Sequence, residues 1–436
     1  MNMATEVPPA RQWALPCGPA GKGDQTLSVP KHIVILCDYA HAAGGAERVA
    51  IDSAIGLQAA GHTVHFVSGG GEVDAELAAC GAQVHLAGVQ ELRAKSPLDL
   101  LTSGLWSTAA SRLVRRLLAG LPRGQTVVHA HSWQRALTAS ALSAAQSSGH
   151  PLVVTLHEYG LACPNQGFFD YQAQKICTRR ALGVDCLTTH CDTRTYAHKL
   201  WRASRVVVQR SVVGLPGKLR DVIYLSGLSR EVLAPYFGPQ TRWHAVRNPI
   251  AIAHGSRAQA ETQQRFLFVG RVSHEKGAAL FAQAASVAGV PAAIAGSGPE
   301  LAELQRDHPS LQFLGWVPPS GLGAALRASR ALVFPSIVYE TFGLTVQEAL
   351  AVGLPVIVAD GTAAREWVEP GRSGLLFKHM NGADLSRCLT LLANDNALVE
   401  TMSRHAFDSY WQNPPTVRAH VEALQRVYAE CLSDSG

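Results

Sequence analysis

Charged side chains are scarce. Asp, Glu, Lys and Arg make up 16% of the 436 residues, against ~25% in an average soluble chain. That scarcity points to large buried interiors or to lipid contact. Net charge is small as well: 38 Lys and Arg against 33 Asp and Glu leave +5. A nucleic-acid partner calls for a steeper, more clustered excess, so none is expected. Nowhere does an apolar run reach the roughly 18 residues of a membrane span. The first 28 residues are rich in Pro and Gly and lack the apolar core of about 7–15 residues that marks a signal peptide. They read as a flexible tail. Nine cysteines, an odd number without a secretory signal, place the chain in a reducing cytoplasm.

What is present is apolar and alternating. Hydrophobic residues reach 47%, enough for sizeable cores, and the length suits two or three domains. The run HIVILCDY (32–39) predicts a parallel strand buried on both faces. AGGAER, a helical pattern through Ala60, a stop at Gly61 and a second strand at His62–Ser68 complete a βαβ unit. Thr126–His131, Pro151–His157, RVVVQRS and RDVIYLS add strand-like runs. After the turn at Asn248-Pro249, the polar stretch HGSRAQAETQQ reads as a linker. Then RFLFVG, PAAIAG, LQFLG, ALVFPS and PVIVAD alternate with helix-period segments. The expected fold is therefore α/β: two Rossmann-like, doubly wound parallel-sheet domains facing each other across a cleft. The boundaries drawn are a tail at 1–29, a first domain at 30–247, a linker at 248–264 and a second domain at 265–408. A closing helix at 409–436 packs back, on the first domain in the preferred reading.

Chemistry concentrates at four turns. In FPSIVYETFGLTVQE (334–348), Glu340 falls after a buried strand and Glu348 lies inside the following helix. The amides of Thr341, Phe342, Gly343 and Leu344 stand at that helix's start, where amides and dipole make an anion site. A carboxylate below them can accept from vicinal hydroxyls of a ribose. In GRVSHEKG (270–277), Arg271 and Lys276 can converge on one diphosphate, Gly270 opening the turn. AGSGPE places Gly296 and Gly298 after a further strand; alone this is a tight turn as readily as a phosphate cradle. Gly44 and Gly45 open the first helix, where a bulky anion can reach the amides. His129 and His131 share one side of a strand end, a place where a His can bond a sugar hydroxyl, and His131 is preferred.

Taken in order, GGAER, GRVSHEKG, AGSGPE and ETFGLTVQE resemble the retaining glycosyltransferases of family four, with their two-domain GT-B architecture. The segment 353–377 matches too, in its Gly, Pro, Glu366 and Gly374 placements. The resemblance implies that Arg271 and Lys276 bind the diphosphate of a nucleotide-sugar donor and that Glu348 holds the ribose. It implies that Glu340 and the amides after it contact the donor sugar, that Gly45 touches the diphosphate, and that His131 lies near the anomeric carbon. It further implies transfer with retention to a carbohydrate or lipid-linked acceptor, in the setting of bacterial surface polysaccharide. The absence of any Asp-x-Asp leaves the diphosphate to the two cations, with no cofactor required. A sugar-nucleotide epimerase or phosphorylase, or a non-catalytic sugar-nucleotide-binding protein, are the alternatives.

The segment His157–Cys191 departs from many members of that family. Cys163, Cys177, Cys186 and Cys191 are separated by 14, 9 and 5 positions, wider than usual zinc pairs. A structural metal or cluster and a loop of buried thiols both remain open. His157, Phe168, Phe169 and Tyr171 offer an acceptor platform or pack the loop down. In LWSTAASRLVRRLLAG, Arg112, Arg115 and Arg116 cluster on one helix face. That face suits an anionic membrane at the inner cell surface, or plain solvent on a packing helix.

Overall fold

The computed structural model describes residues 30–89 and 102–433. The first half contains β1 (His32–Leu36), β2 (Tyr39–Ala40), β3 (Thr63–Ser68), β4 (Gly70–Val73), β5 (Gln83–Leu86), β6 (Thr126–Ala130), β7 (Leu152–Thr155), β8 (Phe169–Asp170), β9 (Lys175–Ile176), β10 (Asp221–Tyr224) and β11 (Arg242–Ala245). Seven of these form a parallel sheet in the order β11-β10-β7-β6-β1-β3-β5. The second half contains β12 (Phe266–Val269), β13 (Ala292–Ala295), β14 (Gln312–Gly315), β15 (Ala331–Phe334), β16 (Val356–Ala359) and β17 (Gly374–Phe377), parallel in the order β14-β13-β12-β15-β16-β17. Strand order reverses between β1 and β6 in one sheet and between β12 and β15 in the other. Crevices at such reversals, outside the carboxyl ends of the strands, are where doubly wound sheets bind ligands.

Each sheet is covered on both sides, which is why its strands read as unbroken apolar runs. Along β1, Ile33 and Ile35 enter one core while Val34 and Leu36 enter the other. The last helix, Val417–Ser433, closes the first of these faces. It supplies Val421, Leu424, Val427 and Tyr428 and packs on the helix Gly45–Ala59. The chain thus crosses between halves twice, and the crossings lie side by side: Ile250 N–H donates to Pro415 O at 2.9 Å, and Arg247 Nη2 to Asn413 O at 2.8 Å. The polar stretch read as a linker is bound down on the second half. Ala258 and Ala260 are buried, and Arg257 pairs with Glu261 at 2.7 Å while donating to Ser403 Oγ.

One strand expectation fails. RVVVQRS belongs to the end of the helix Tyr196–Val208 and a following wide turn at Gln209–Val213. Thr195 starts the helix by accepting the His198 amide at 3.2 Å. Lys199, Ala203 and Val206 then fall on its buried side at helical spacing. Packing along that stripe outweighs the strand preference of three consecutive valines.

Candidate active site

The second half builds most of the site from loops that follow strands. Gly270 donates to Ala295 O at 3.0 Å and Val272 to Ser297 O at 3.0 Å, so the loops after β12 and β13 lie against each other. A Cβ at Gly296 would stand 1.8 Å from Gly270 O, and one at Gly298 would stand 2.2 Å from Val272 O. These glycines are therefore demanded first by the neighbouring loop. Arg271 emerges from the stack exposed, with no side-chain acceptor among the described residues.

Lys276 reaches the turn after β15, donating to Glu340 Oε1 at 2.6 Å. Ser336 Oγ donates to the same oxygen at 2.6 Å. Glu340 is held at φ +54°, a left-handed conformation in a non-glycine residue, and such strain gathers at functional turns. Gly343, at φ +90°, opens the helix Leu344–Ala351. Its missing Cβ would meet Ala364 at 2.6 Å. The amides of Thr341, Phe342, Gly343 and Leu344 have no protein acceptor among the described residues. Glu348, one turn into the helix, has no partner either, and burial pushes its carboxyl up to about 7. The turn thus presents free donors, a held cation and a poised acceptor, the set that a phosphate, a sugar and a ribose require.

The first half contributes His131 at the end of β6. Its Nδ1 lies 3.0 Å from His157 Nε2, and its buried Nε2 has no partner. Burial, then His129 and His157, hold its pKa well below the ordinary value, so the ring is neutral and offers a hydrogen bond rather than a charge. Two residues earlier, His129 is filled on both nitrogens, by Tyr428 OH and Thr155 Oγ1, each at 2.7 Å. Three contacts bring this half onto the turn after β15. Thr341 Oγ1 donates to His157 O at 2.9 Å, Tyr159 OH to Glu340 O at 2.6 Å, and a Cβ on Gly45 would stand 2.9 Å from Leu344 Cδ1. Gly44, extended, begins the helix that Gly45 continues.

Of the candidate acceptor residues, Phe168 and Phe169 pack the loop down instead of offering open faces, while Tyr171 and His157 are half-buried. Phe168 and Phe169 are 5% and 1% exposed, their rings turned into the protein. Phe168 packs with Tyr159 and Tyr236, and Tyr171 meets Phe169 edge-on. Cys163, Cys177, Cys186 and Cys191 are all free thiols. Among the described residues no three His, Cys, Asp or Glu side chains converge as a metal site. Cys163 and Cys191 are pushed up to about 11 and about 12, chiefly by burial, as expected of packed thiols. Arg112, Arg115 and Arg116 are exposed on the helix Thr108–Ala119, whose Val114 and Leu118 are buried. No described helix is long and apolar enough to cross a membrane.

Three features escaped the sequence. Asp38 accepts the amides of Arg135, Ala136 and Leu137 at 2.7, 2.8 and 2.9 Å. Glu366, noted only for its place in a pattern, accepts Gly227 and Leu228 N–H across the two halves, both at 2.8 Å. A cavity of about 1150 Å³ lies between the halves; it takes in Gly270, Arg271, Gly296 and Gly298 and is closed opposite by the helix Tyr196–Val208. Only the last carried a visible signal, the clustered Arg and Trp residues of that helix.

Comparison with known proteins agrees with this architecture. The Glycosyltransferase Family 4 model matches residues 43–254, and the Glycosyl transferases group 1 model matches 251–409. A GDP-mannose-dependent alpha-mannosyltransferase of Mycolicibacterium smegmatis is 38% identical over 110 residues, covering 25% of this chain and 29% of that protein. That match thus spans under a third of the relative's length. Glycogen synthase of Mycobacterium tuberculosis is 27% identical over 317 residues, 68% of each chain. Among solved structures, sucrose-phosphate synthase of Thermosynechococcus elongatus superposes with a TM-score of 0.68 at 16% identity, covering 93% of this chain and 100% of that one. Anabaena HepE, solved with UDP and glucose, does so with a TM-score of 0.64 at 18% identity, covering 93% and 100%. With both halves matched and the paired sheets those neighbours share, the chain belongs to the family 4, group 1 glycosyltransferases of GT-B fold.

Proposed function

We propose that this glycosyltransferase takes a sugar from a nucleotide-sugar donor and passes it, with retention, to a carbohydrate or lipid-linked acceptor. The observation that carries the reading is the turn after β15. Its open amides and unpaired Glu348 lie beside the Lys276–Glu340 pair, and His157 and His131 continue from Thr341 in a run of hydrogen bonds. Arg271 and Lys276 would neutralise the departing diphosphate, doing without a metal. Glu348 would accept the ribose hydroxyls, and the amides of Thr341–Leu344 would bind the donor sugar or phosphate. His131, neutral and open at Nε2, suits a sugar hydroxyl better than nucleophilic attack. The reading favours a front-face route, in which the leaving phosphate takes the acceptor's proton. HepE, solved with UDP and glucose, lends weight to the donor class. O-antigen chain mannosyltransferase B of Escherichia coli, 31% identical over 129 residues, lends weight to a role in surface polysaccharide. The exposed Arg112, Arg115 and Arg116 support contact with an anionic membrane face in the cytoplasm. The test is a panel of nucleoside diphosphates and their sugars in thermal shift, then turnover with the donor that binds. Specific stabilisation, about 2.7 kcal/mol at a hundredfold excess over Kd, followed by a product of unchanged anomeric configuration, is expected. Isomerised donor or free monosaccharide without acceptor product would instead mark an epimerase or phosphorylase.

A further inference from the structure

The large cavity has an unusual charge balance. Five of its lining side chains are arginines, Arg135, Arg194, Arg202, Arg205 and Arg271, and none is Asp or Glu. Arg194, His198, Trp201, Arg202 and Arg205 recur at helical spacing, so one face of the helix Tyr196–Val208, with Arg194 two residues before it, looks across at the donor loops. The face is orderly. His198 stacks on Trp201 with ring centres 5.9 Å apart, and the Arg205 guanidinium lies 5.1 Å over the same ring. Burial lowers the Arg205 pKa to about 10, and Arg202 adds to the effect.

The compensating carboxylates are taken or lie outside the lining. Asp192 is buried and already shared by His198 at 3.1 Å, by Arg202 at 3.4 Å and by the Arg194 amide at 2.9 Å. Asp38 is spent on three amides, and Glu158 and Glu47, which favour the Arg135 charge, lie outside the lining. Arg135 and Arg194 have no carboxylate partner within hydrogen-bond reach among the described residues. Collecting like charges around one cavity is unfavourable unless an anion enters it. The donor diphosphate accounts for Arg271, in the second half, but the other four arginines belong to the first.

We infer that this helix face is an acceptor subsite for an acidic acceptor, a saccharide or saccharide-lipid carrying a carboxylate or a phosphate. The inference rests on the glycosyltransferase reading above and deepens it. Guanidinium forks match either anion in bidentate fashion, so carboxylate and phosphate share the chemistry and must be separated by test.

With the bound nucleoside diphosphate at saturation, calorimetry of the full-length protein would compare methyl glucoside, methyl glucuronide and methyl glucoside 6-phosphate at low salt. At least one acidic glycoside is expected to bind tenfold or more tightly than the neutral one, with that preference shrinking as salt rises. Which of the two binds better identifies a uronate or a phosphorylated acceptor. Arg135→Gln and Arg194→Gln, both at exposed positions, should erase the preference while leaving nucleoside diphosphate affinity within twofold. Arg271→Ala should do the reverse. Equal binding of all three glycosides would overturn the inference, and so would a loss of nucleoside diphosphate affinity in the Arg135 and Arg194 variants. Failure of any nucleoside diphosphate to bind the unaltered protein would instead remove the functional reading beneath it.

Discussion

The two halves use one device to opposite ends. In each, backbone amides gather just after a strand, aimed where an anion can sit. In the first half the place is filled from within, because Asp38 lies across the amides of Arg135, Ala136 and Leu137. In the second half the amides of Thr341 to Leu344 are left open. The two histidines of β6 and its end repeat the contrast: His129 is bonded at both nitrogens, and His131 keeps a buried Nε2 without a partner. Amide geometry or a strand-end histidine therefore does not distinguish scaffold from site; an unfilled valence does.

The contrast can be broken most forcefully at its filled end. Asp38→Ala strands three amide donors, at about 1–3 kcal/mol each when buried, so denaturant unfolding should show a loss of about 3 kcal/mol or more. At the open end the loss should fall on turnover. Arg271→Ala and Lys276→Ala are expected to lower kcat by 10²–10³-fold, about 3–4 kcal/mol of transition-state stabilisation, with unfolding midpoints nearly unchanged. Wild-type rates in either variant would remove the diphosphate assignment. The histidine pair gives a smaller, crossed result. His129→Phe leaves Tyr428 and Thr155 without their partner and should cost about 2 kcal/mol of stability, whereas His131→Ala should cost mainly activity.

The smallest expected effect concerns pH. Glu348 titrates near 7 in the unliganded protein, above its ordinary 4.5. The unfolded chain therefore gives up this proton more readily, and the carboxyl subtracts stability as pH rises from about 4.5 to about 7. Ribose hydroxyls favour its ionised form. Nucleoside diphosphate affinity should then rise between about pH 6 and pH 8, approaching tenfold per unit below 7. Calorimetry of Glu348→Gln should show that slope flattened; an unchanged slope would assign it to another group.

What the sequence disclosed follows from separation along the chain. Phe334–Glu348 was legible because strand, turn, Gly343 and helix are consecutive, so the anion site is written in one local phrase. Asp38 and its amides are nearly a hundred residues apart, and Glu366 lies 139 positions from Gly227; no local pattern announces either. The sequence leaves the aromatic residues of the cysteine segment open between an acceptor platform and loop packing, because exposure, not residue type, decides whether a ring can meet a sugar. RVVVQRS misled for a related reason. Its valines report strand preference, while the stripe that holds the helix begins earlier, at Lys199.

The paired crossings between the halves have a mechanical consequence. Because 247–250 and 413–415 run side by side and are hydrogen-bonded to each other, they act as a two-pin door hinge rather than a ball joint. Swinging about the line through both pins is the soft motion, whereas twisting one half over the other would shear those bonds. Each opening should therefore return the first half to the turn after β15 along the same arc, and His131 to the same place above it.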